Sequence, residues 1–547
     1  MDLAEKKLKK YFGYHKFYPF QKKVIENVLL NKDIFILAKT SGGKSICYQI
    51  PAIMYQGITI IISPLRSLIE DQTNNLKRKN IKFLKYYGDL SKEEKRKTEN
   101  ILNKAIHNKK IKYHMLYTTP ETIDTNIYFI NILKELYENI LITRFVIDEA
   151  HTLSTWGNNF RKSYLSLKNL KTDYNNIPIM VLTATASEII KHNIKNVLNI
   201  KDCVFIKDDI YRSNLFIDIK NSHITKNKEI LSFLKDKKNE NCSGIIFCTK
   251  KDSCEELYQF LINESISCNY YHADLNKLIR TEIQNKWINN KIQIIIATVA
   301  FGMGIDKSDV RFVIHYNMPN SIENYYQEIG RAGRDNEISQ CILYYDYRDY
   351  TIHKHMISCN NDIDKSYIQY QINKLNEFYN YILNIHDCKH KLLSLIFSEY
   401  RNNNCGKNCC TCINYSDPNT IFKHIDFTEF INKILKIIKK KNISKNKIIS
   451  EFRKKKIEIN ELNIERILNY LLINNYISVN VDKWELNYII VNKYNDINNV
   501  YLPFIYSKNY LNNHMCYNHT TDNNMINNHI INSNIDNNDT NTNYIYL

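Results

Sequence analysis

Short apolar runs set between amphipathic stretches dominate the first 350 residues. Ile34–Ala38, Ile58–Ile62, Phe145–Ile147 and Ile179–Leu182 are too short for buried helices, are rich in β-branched side chains, and each leads into a polar motif. Such runs predict strands buried on both faces, the pattern of parallel sheets covered by helices. Gly244–Phe247, Ile292–Thr298 and Arg311–His315 repeat it. The expectation is two successive α/β lobes, residues 1–210 and 211–350, each an open parallel sheet with its site at the carboxyl ends of the strands.

The pattern then changes period. Residues 351–415 read as helical and cysteine-bearing, and 416–500 as a small α+β domain. Within it Phe427, Phe430, Ile431, Ile434, Leu435 and Ile438 share one helix face, as do Ile464, Ile467, Leu468 and Leu471. Alternation over Tyr476–Val481 and Trp484–Val491 predicts a hairpin, and helices followed by a hairpin point to a divergent winged helix. Asn dominates residues 501–547, which predicts a disordered tail.

Length and charge sharpen this only a little. A chain of 547 residues exceeds a single core, so three or more domains are expected. The net charge of +18, from 75 Lys+Arg against 57 Asp+Glu, fits a polyanionic partner. The same composition favours Asn, Ile and Tyr, the mark of an AT-rich coding sequence, so charge alone does not identify that partner. The segment Met1-Asp-Leu-Ala-Glu-Lys-Lys7 has no apolar core of a signal peptide, and no run approaches membrane-spanning length. The expectation is a soluble intracellular protein, nuclear or cytoplasmic, whose 14 Cys are thiols or metal ligands.

Three segments carry chemistry. Ala38-Lys-Thr-Ser-Gly-Gly-Lys-Ser45 lies between a strand and a helical stretch, the context of a phosphate-binding loop. Backbone N–H groups of Thr40, Ser41, Gly42 and Gly43 would cradle the phosphates of ATP, Lys44 would reach the β- and γ-phosphates, and Ser45 would ligate Mg²⁺. Asp148 and Glu149 end an apolar run, placing Asp148 to hold Mg²⁺ and Glu149 to deprotonate the attacking water. Gln327-Glu-Ile-Gly-Arg-Ala-Gly-Arg334 offers Arg331 and Arg334 to neutralise charge on the transferred phosphoryl group. Each has a plain structural alternative: a glycine turn, two acids capping a helix, or arginines on a solvated face. Their joint occurrence in this order is what points to a nucleotide-driven motor.

A fourth cluster is metal-like. Cys388, Cys405, Cys409 and Cys412, spaced C-x16-C-x3-C-x2-C, supply the four thiolates of a closed structural Zn²⁺ site. Cys410 is an alternative ligand, with Cys409 preferred because it keeps C-x2-C with Cys412. An iron–sulfur cluster is the lesser alternative.

The wording of the motifs resembles superfamily 2 helicases of the RecQ type. The resemblance rests on Ile61-Ile-Ser-Pro-Leu-Arg-Ser-Leu-Ile-Glu-Asp-Gln72, Leu116-Tyr-Thr-Thr-Pro-Glu121, Thr183-Ala-Thr-Ala186, Tyr271-His-Ala273, Ala297-Thr-Val-Ala-Phe-Gly-Met-Gly-Ile-Asp306 and Tyr325-Tyr-Gln-Glu-Ile-Gly-Arg-Ala-Gly-Arg-Asp335, and covers about residues 10 to 415. It implies two tandem RecA-like lobes, the zinc module and a winged helix. It further implies adenine recognition by Gln21 with Tyr14 stacking, in Gly13-Tyr-His-Lys-Phe-Tyr-Pro-Phe-Gln21, where Tyr18 replaces the family's usual Arg. Gly304, Asp306 and Gln327 join the nucleotide site by the same resemblance, and Ser63 and Arg66 the DNA site. The loop Ala150–Tyr164 resembles the family's aromatic-rich loop, in which Trp156 and Phe160 would stack on bases and Arg161 would link to a phosphate or carboxylate. It departs from the family at Thr155 and Asn158. Trp484, near the hairpin turn, is a candidate for splitting the duplex or, equally, for packing in the core of this small domain. The implied activity is ATP-dependent 3′→5′ movement on single-stranded DNA with unwinding of forked or structured duplexes, in repair, recombination or replication. An RNA helicase, or a translocase or scaffold without strong unwinding, is the alternative.

Overall fold

The computed structural model describes residues 1–39, 42–64, 66–153, 167–184, 188–200, 202–222, 225–239, 242–301, 307–359, 365–385, 387–397, 399–416, 420–440, 443–454, 464, 467–468, 470–471, 476–482, 485–490 and 501–507. The chain divides into two compact units. Met1–Asp349, Met356–Gln371 and Leu393–Asn403 form the first, and Tyr350–His355, Ile372–Leu392 and Asn404–Leu547 the second. Residues 351–415, read from the sequence as one module, are thus shared between both.

The first unit holds two parallel sheets. Strands β1 (Asp33–Leu37), β2 (Ile58–Ile62), β3 (Phe83–Tyr86), β4 (Met115–Thr118), β5 (Ile142–Ile147), β6 (Ile179–Thr183) and β7 (Cys203–Lys207) pair in the order β3-β4-β2-β5-β6-β1-β7. All neighbours run parallel. The apolar runs named above are the central strands, buried on both faces as their unbroken hydrophobicity requires. Two cores flank the sheet, one around Phe35, Ile60, Phe145 and Val181, the other around Ile36, Tyr48, Ile61 and Val146. Register levels the strand ends: Ile62 pairs with Thr118 and Ile147, Ile147 with Val181, and Leu37 with Thr183. The polar residues that follow each strand therefore emerge along one edge.

The second sheet contains β8 (Leu215–Asn221), β9 (Ser243–Phe247), β10 (Cys268–Tyr271), β11 (Ile294–Ala297), β12 (Val310–His315) and β13 (Ser339–Tyr345), ordered β10-β11-β9-β12-β13-β8 and again parallel. The helix Ile322–Ile329 lies between β12 and β13 and leads into the arginine-bearing turn.

In the second unit Ile431, Ile434, Leu435 and Ile438 are buried on the helix Thr428–Lys440, and Phe427 just before it, as their spacing predicts, and Phe430 is half-buried. Strands Ile477–Asp482 and Glu485–Ile490 pair antiparallel as the expected hairpin, and Ile443–Ser444 joins them in a three-stranded sheet. One sequence expectation changes. Tyr501–Ser507, assigned to the disordered tail, is a strand antiparallel to Thr420–Asp426. Its composition, Tyr-Leu-Pro-Phe-Ile-Tyr-Ser, is apolar and aromatic, unlike the Asn-rich stretch after it. Residues 508–547 and Trp484 lie outside the described residues. Among the described residues no helix is long and apolar enough to cross a membrane.

Candidate nucleotide site and cysteine cluster

The phosphate-binding loop leaves the carboxyl end of β1, where Ala38 N–H donates to the Thr183 carbonyl (3.1 Å), and returns into the helix Ile46–Met54. Gly43 has φ +74°, and a Cβ there would come within 2.5 Å of Gln21 Nε2. Only glycine accepts both constraints. Gln21 is 2% exposed and its amide is bonded at both ends: its Oε1 accepts from Tyr18 N–H (2.9 Å) and its Nε2 donates to the Gly43 carbonyl (3.1 Å). The residue expected to read adenine thus ties the adenine segment to the phosphate loop. Tyr14 and Tyr18 are more than half exposed. Lys44 Nζ donates to the Ala38 carbonyl (3.2 Å).

Ser45 Oγ accepts from Gln72 Nε2 (3.0 Å), whose Oε1 accepts from Gln49 Nε2 (3.0 Å). Gln72 sits on the helix Arg66–Arg78, so the Mg²⁺-type hydroxyl is anchored by the same helix whose first residue is the candidate DNA contact Arg66. Gln72 closes a quoted motif, but its role was not legible there. Arg66 is exposed and ion-paired with Asp89. Ser63, the other candidate DNA contact, is 2% exposed at the end of β2, with its hydroxyl shielded from solvent.

Asp148 follows β5, its N–H donating to the Ile62 carbonyl (3.0 Å), and its Oδ1 accepts from Glu149 N–H (3.0 Å). Glu149 has φ +48°, a left-handed conformation uncommon outside glycine and frequent at functional sites. Glu149 Oε2 lies 3.3 Å from His151 Nδ1, which is itself 3.2 Å from Thr183 Oγ1. Burial, then the neighbouring Glu149 charge, raises Asp148 to about 7. Burial acts against the Glu149 charge as well, but Lys44, His151 and Arg331 outweigh it and hold that carboxyl down, to about 2. Glu149 is therefore the ionised member and Asp148 the one that gains most from a cation.

Arg331, 7% exposed, lies in the turn after the helix Ile322–Ile329, and its charge favours the ionised form of Glu149. Burial, then Arg334, lowers it to about 10, still protonated at neutral pH. Its Nε is shielded from solvent and has no hydrogen-bond partner among the described residues, as fits a group awaiting an anion. Arg334 and Gln327 are half-buried nearby in sequence. Buried His315 and Glu328 (Nε2 to Oε2, 2.8 Å) fix the helix before the turn. Thr40, Ser41, Trp156, Phe160, Arg161, Gly304 and Asp306 lie outside the described residues.

In the second unit the thiols of Cys388, Cys405, Cys409 and Cys412 lie within 4.8 Å of one another, all buried. A tetrahedral zinc with Zn–S bonds of about 2.3 Å needs sulfurs about 4 Å apart, so the set fits the ion. Cys405 and Cys412 N–H groups donate to the sulfurs of Cys388 (3.3 Å) and Cys409 (3.4 Å), orienting them as ligands. Hydrogen bonds from Cys405 and Cys409 hold the Cys388 thiol far below its ordinary range. Cys410, the alternative, is not in the cluster.

Comparison with known proteins agrees with this layout. Residues 18–192 match the model of DEAD/DEAH box helicases, 225–336 the helicase conserved C-terminal domain, and 347–413 the RecQ zinc-binding domain. The chain is 39% identical over 429 residues to ATP-dependent helicase SGS1 of Saccharomyces cerevisiae, covering 77% of this chain and 29% of that protein. It is 37% identical to RecQ-like DNA helicase BLM of Xenopus laevis, covering 78% and 31%. It is 35% identical to ATP-dependent DNA helicase Q1 of Pongo abelii, covering 79% and 65%. The chain thus spans less than two thirds of these relatives. Among solved structures, the DUF1998 helicase MrfA bound to DNA shares the fold with a TM-score of 0.53 at 20% identity, over 70% of this chain and 57% of that one.

Proposed function

Because the chain belongs to the RecQ family of superfamily 2 helicases, we propose that it couples ATP hydrolysis to 3′→5′ movement on single-stranded DNA and to opening of forked or structured duplexes in genome maintenance. One observation carries this reading. The phosphate loop leaves β1 and the Asp148–Glu149 pair leaves β5 at the same edge of one parallel sheet, whose register brings the strand ends level.

In this reading Lys44 turns from the Ala38 carbonyl to the β- and γ-phosphates, and Tyr14 stacks on adenine. Ser45 and Asp148 would hold Mg²⁺, which when bound neutralises phosphate charge. Glu149, ionised beside Lys44 and oriented by His151, accepts the proton of the attacking water. Arg331 and Arg334 neutralise charge from the second lobe, so ATP draws the lobes together and hydrolysis releases them. Arg66 binds the DNA backbone, and residues 416–500 serve as the winged helix. Zn²⁺ on the four cysteines stabilises its unit. The test is ATP hydrolysis with single-stranded DNA, duplex DNA or single-stranded RNA at fixed salt. Stimulation by single-stranded DNA above the others is expected, and equal stimulation by RNA overturns the DNA assignment.

Two further outcomes follow locally. Gln72→Ala, freeing the Ser45 hydroxyl, should raise the Mg²⁺ concentration for half-maximal binding of a fluorescent ATP analogue about 10-fold. An unchanged Mg²⁺ titration would remove Gln72 from the site. Cys405→Ser should abolish stoichiometric zinc in elemental analysis and lower the melting temperature, because an incomplete thiolate shell forfeits the folding energy of the closed site. A stable wild type without metal argues against zinc.

A further inference from the structure

The turn that carries Arg331 and Arg334 is held by the segment that joins the two sheets. Residues 208–214 run from the end of β7 to the start of β8. Arg212, 8% exposed, donates from Nη1 to the Gly330 carbonyl (3.1 Å) and from Nη2 to the Gly333 carbonyl. Asn214 Nδ2 donates to the carbonyls of Gly333 (2.9 Å) and Glu337 (3.0 Å), and Tyr326 Oη donates to the Ile210 carbonyl (2.9 Å). Gly330 and Gly333 immediately precede the two arginines, so each peptide gripped by Arg212 is the one that sets where an arginine starts.

The grip is specific. A planar guanidinium spans two carbonyls with fixed geometry, which an ammonium cannot do. Gly333 has φ +55°, and a Cβ there would meet the Glu337 carbonyl at 2.7 Å and Ser339 Oγ at 2.8 Å, so the turn has little freedom to adopt another path. Arg212 is also a buried cation close to the charge of Arg334, an arrangement that costs stability unless its hydrogen bonds are kept. Among the described residues the Arg212 guanidinium donates to main-chain carbonyls of this turn.

We propose that Arg212, assisted by Asn214, is a positioning residue that ties the arginine-bearing turn to the linker between the lobes, so that the reach of Arg331 toward the nucleotide follows the linker. This rests on the reading above in which Arg331 acts on the transferred phosphoryl group. It makes lobe closure and arginine placement one motion.

The test compares wild type, Arg212→Met, Arg212→Lys, Arg331→Ala and the double variant Arg212→Met/Arg331→Ala in the full chain. The readouts are kcat and KM for ATP with single-stranded DNA, binding of fluorescent ADP, binding of the ADP–aluminium fluoride transition-state mimic, and melting temperature. Arg212→Met should lower kcat about 10–100-fold, the cost of slight misplacement of a catalytic group. KM and ADP binding should hold within about 3-fold while the tightened binding of the mimic is lost. Arg212→Lys should recover little. Combined with Arg331→Ala, Arg212→Met should add almost nothing further, because both act through one side chain. Full additivity, or an unchanged kcat in Arg212→Met, overturns the proposal. If Arg212→Met fails to fold, Asn214→Ala removes one tie and must still lower kcat more than it changes KM. An undiminished kcat in Arg331→Ala would sink the arginine assignment itself, a result separable from failure of the bracket alone.

Discussion

Arg331→Ala is expected to lower kcat for ATP about 10³–10⁵-fold, the range for losing an arginine that stabilises phosphoryl transfer. Nucleotide binding should change far less, because Lys44 and the loop backbone hold the ground-state phosphates. The magnitude follows from burial. Arg331 is 7% exposed and still cationic, with a shielded Nε that has no hydrogen-bond partner among the described residues. A positive group held ready in a poorly solvated site needs no reorganisation when charge develops. Steady-state kinetics with an ADP-binding control separates this from misfolding. A fall of less than about 10-fold, with ADP binding intact, would show that Arg331 is structural and pass the role to Arg334.

Lys44→Ala should abolish ATP turnover, with or without DNA. Lys44 is the cation that most lowers Glu149 against its burial, and it also favours the charged form of Asp148. Its removal therefore takes away a phosphate contact and at the same time makes ionisation of the base less favourable. The second effect predicts that any residual activity shifts to higher pH, since a carboxyl whose pKa rises is deprotonated only above the new value. DNA-stimulated hydrolysis at the wild-type rate would refute the phosphate loop.

Much of the architecture follows from local pattern. Parallel strands buried on both faces must be unbroken apolar runs, so Ile58–Ile62 and Ile179–Leu182 announce themselves without a partner in view. The helix face from Phe427 to Ile438 and the pairing of Ile477–Asp482 with Glu485–Ile490 are legible for the same reason, being written in periods of 3.6 and 2. The cysteine set is legible because ligand spacing within 25 residues is itself a constraint, and the structure gathers all four thiols.

Three features depend instead on residues far apart in the chain. Ser63 belongs to a motif, but its burial follows from where β2 ends between β4 and β5, and no sequence period encodes that level. Gln72 meets Ser45 across 27 positions, and Arg212 meets Gly330 across 118. Gln21 spends its amide on Gly43 because the adenine segment packs against the phosphate loop. By itself the sequence determined which chemical groups this protein owns and which strands deliver them, since chemistry and periodicity are local. Only the tertiary structure decided which of those groups are buried, which touch, and which hold another in place, since burial and hydrogen-bond geometry are set by neighbours that the chain brings together only on folding.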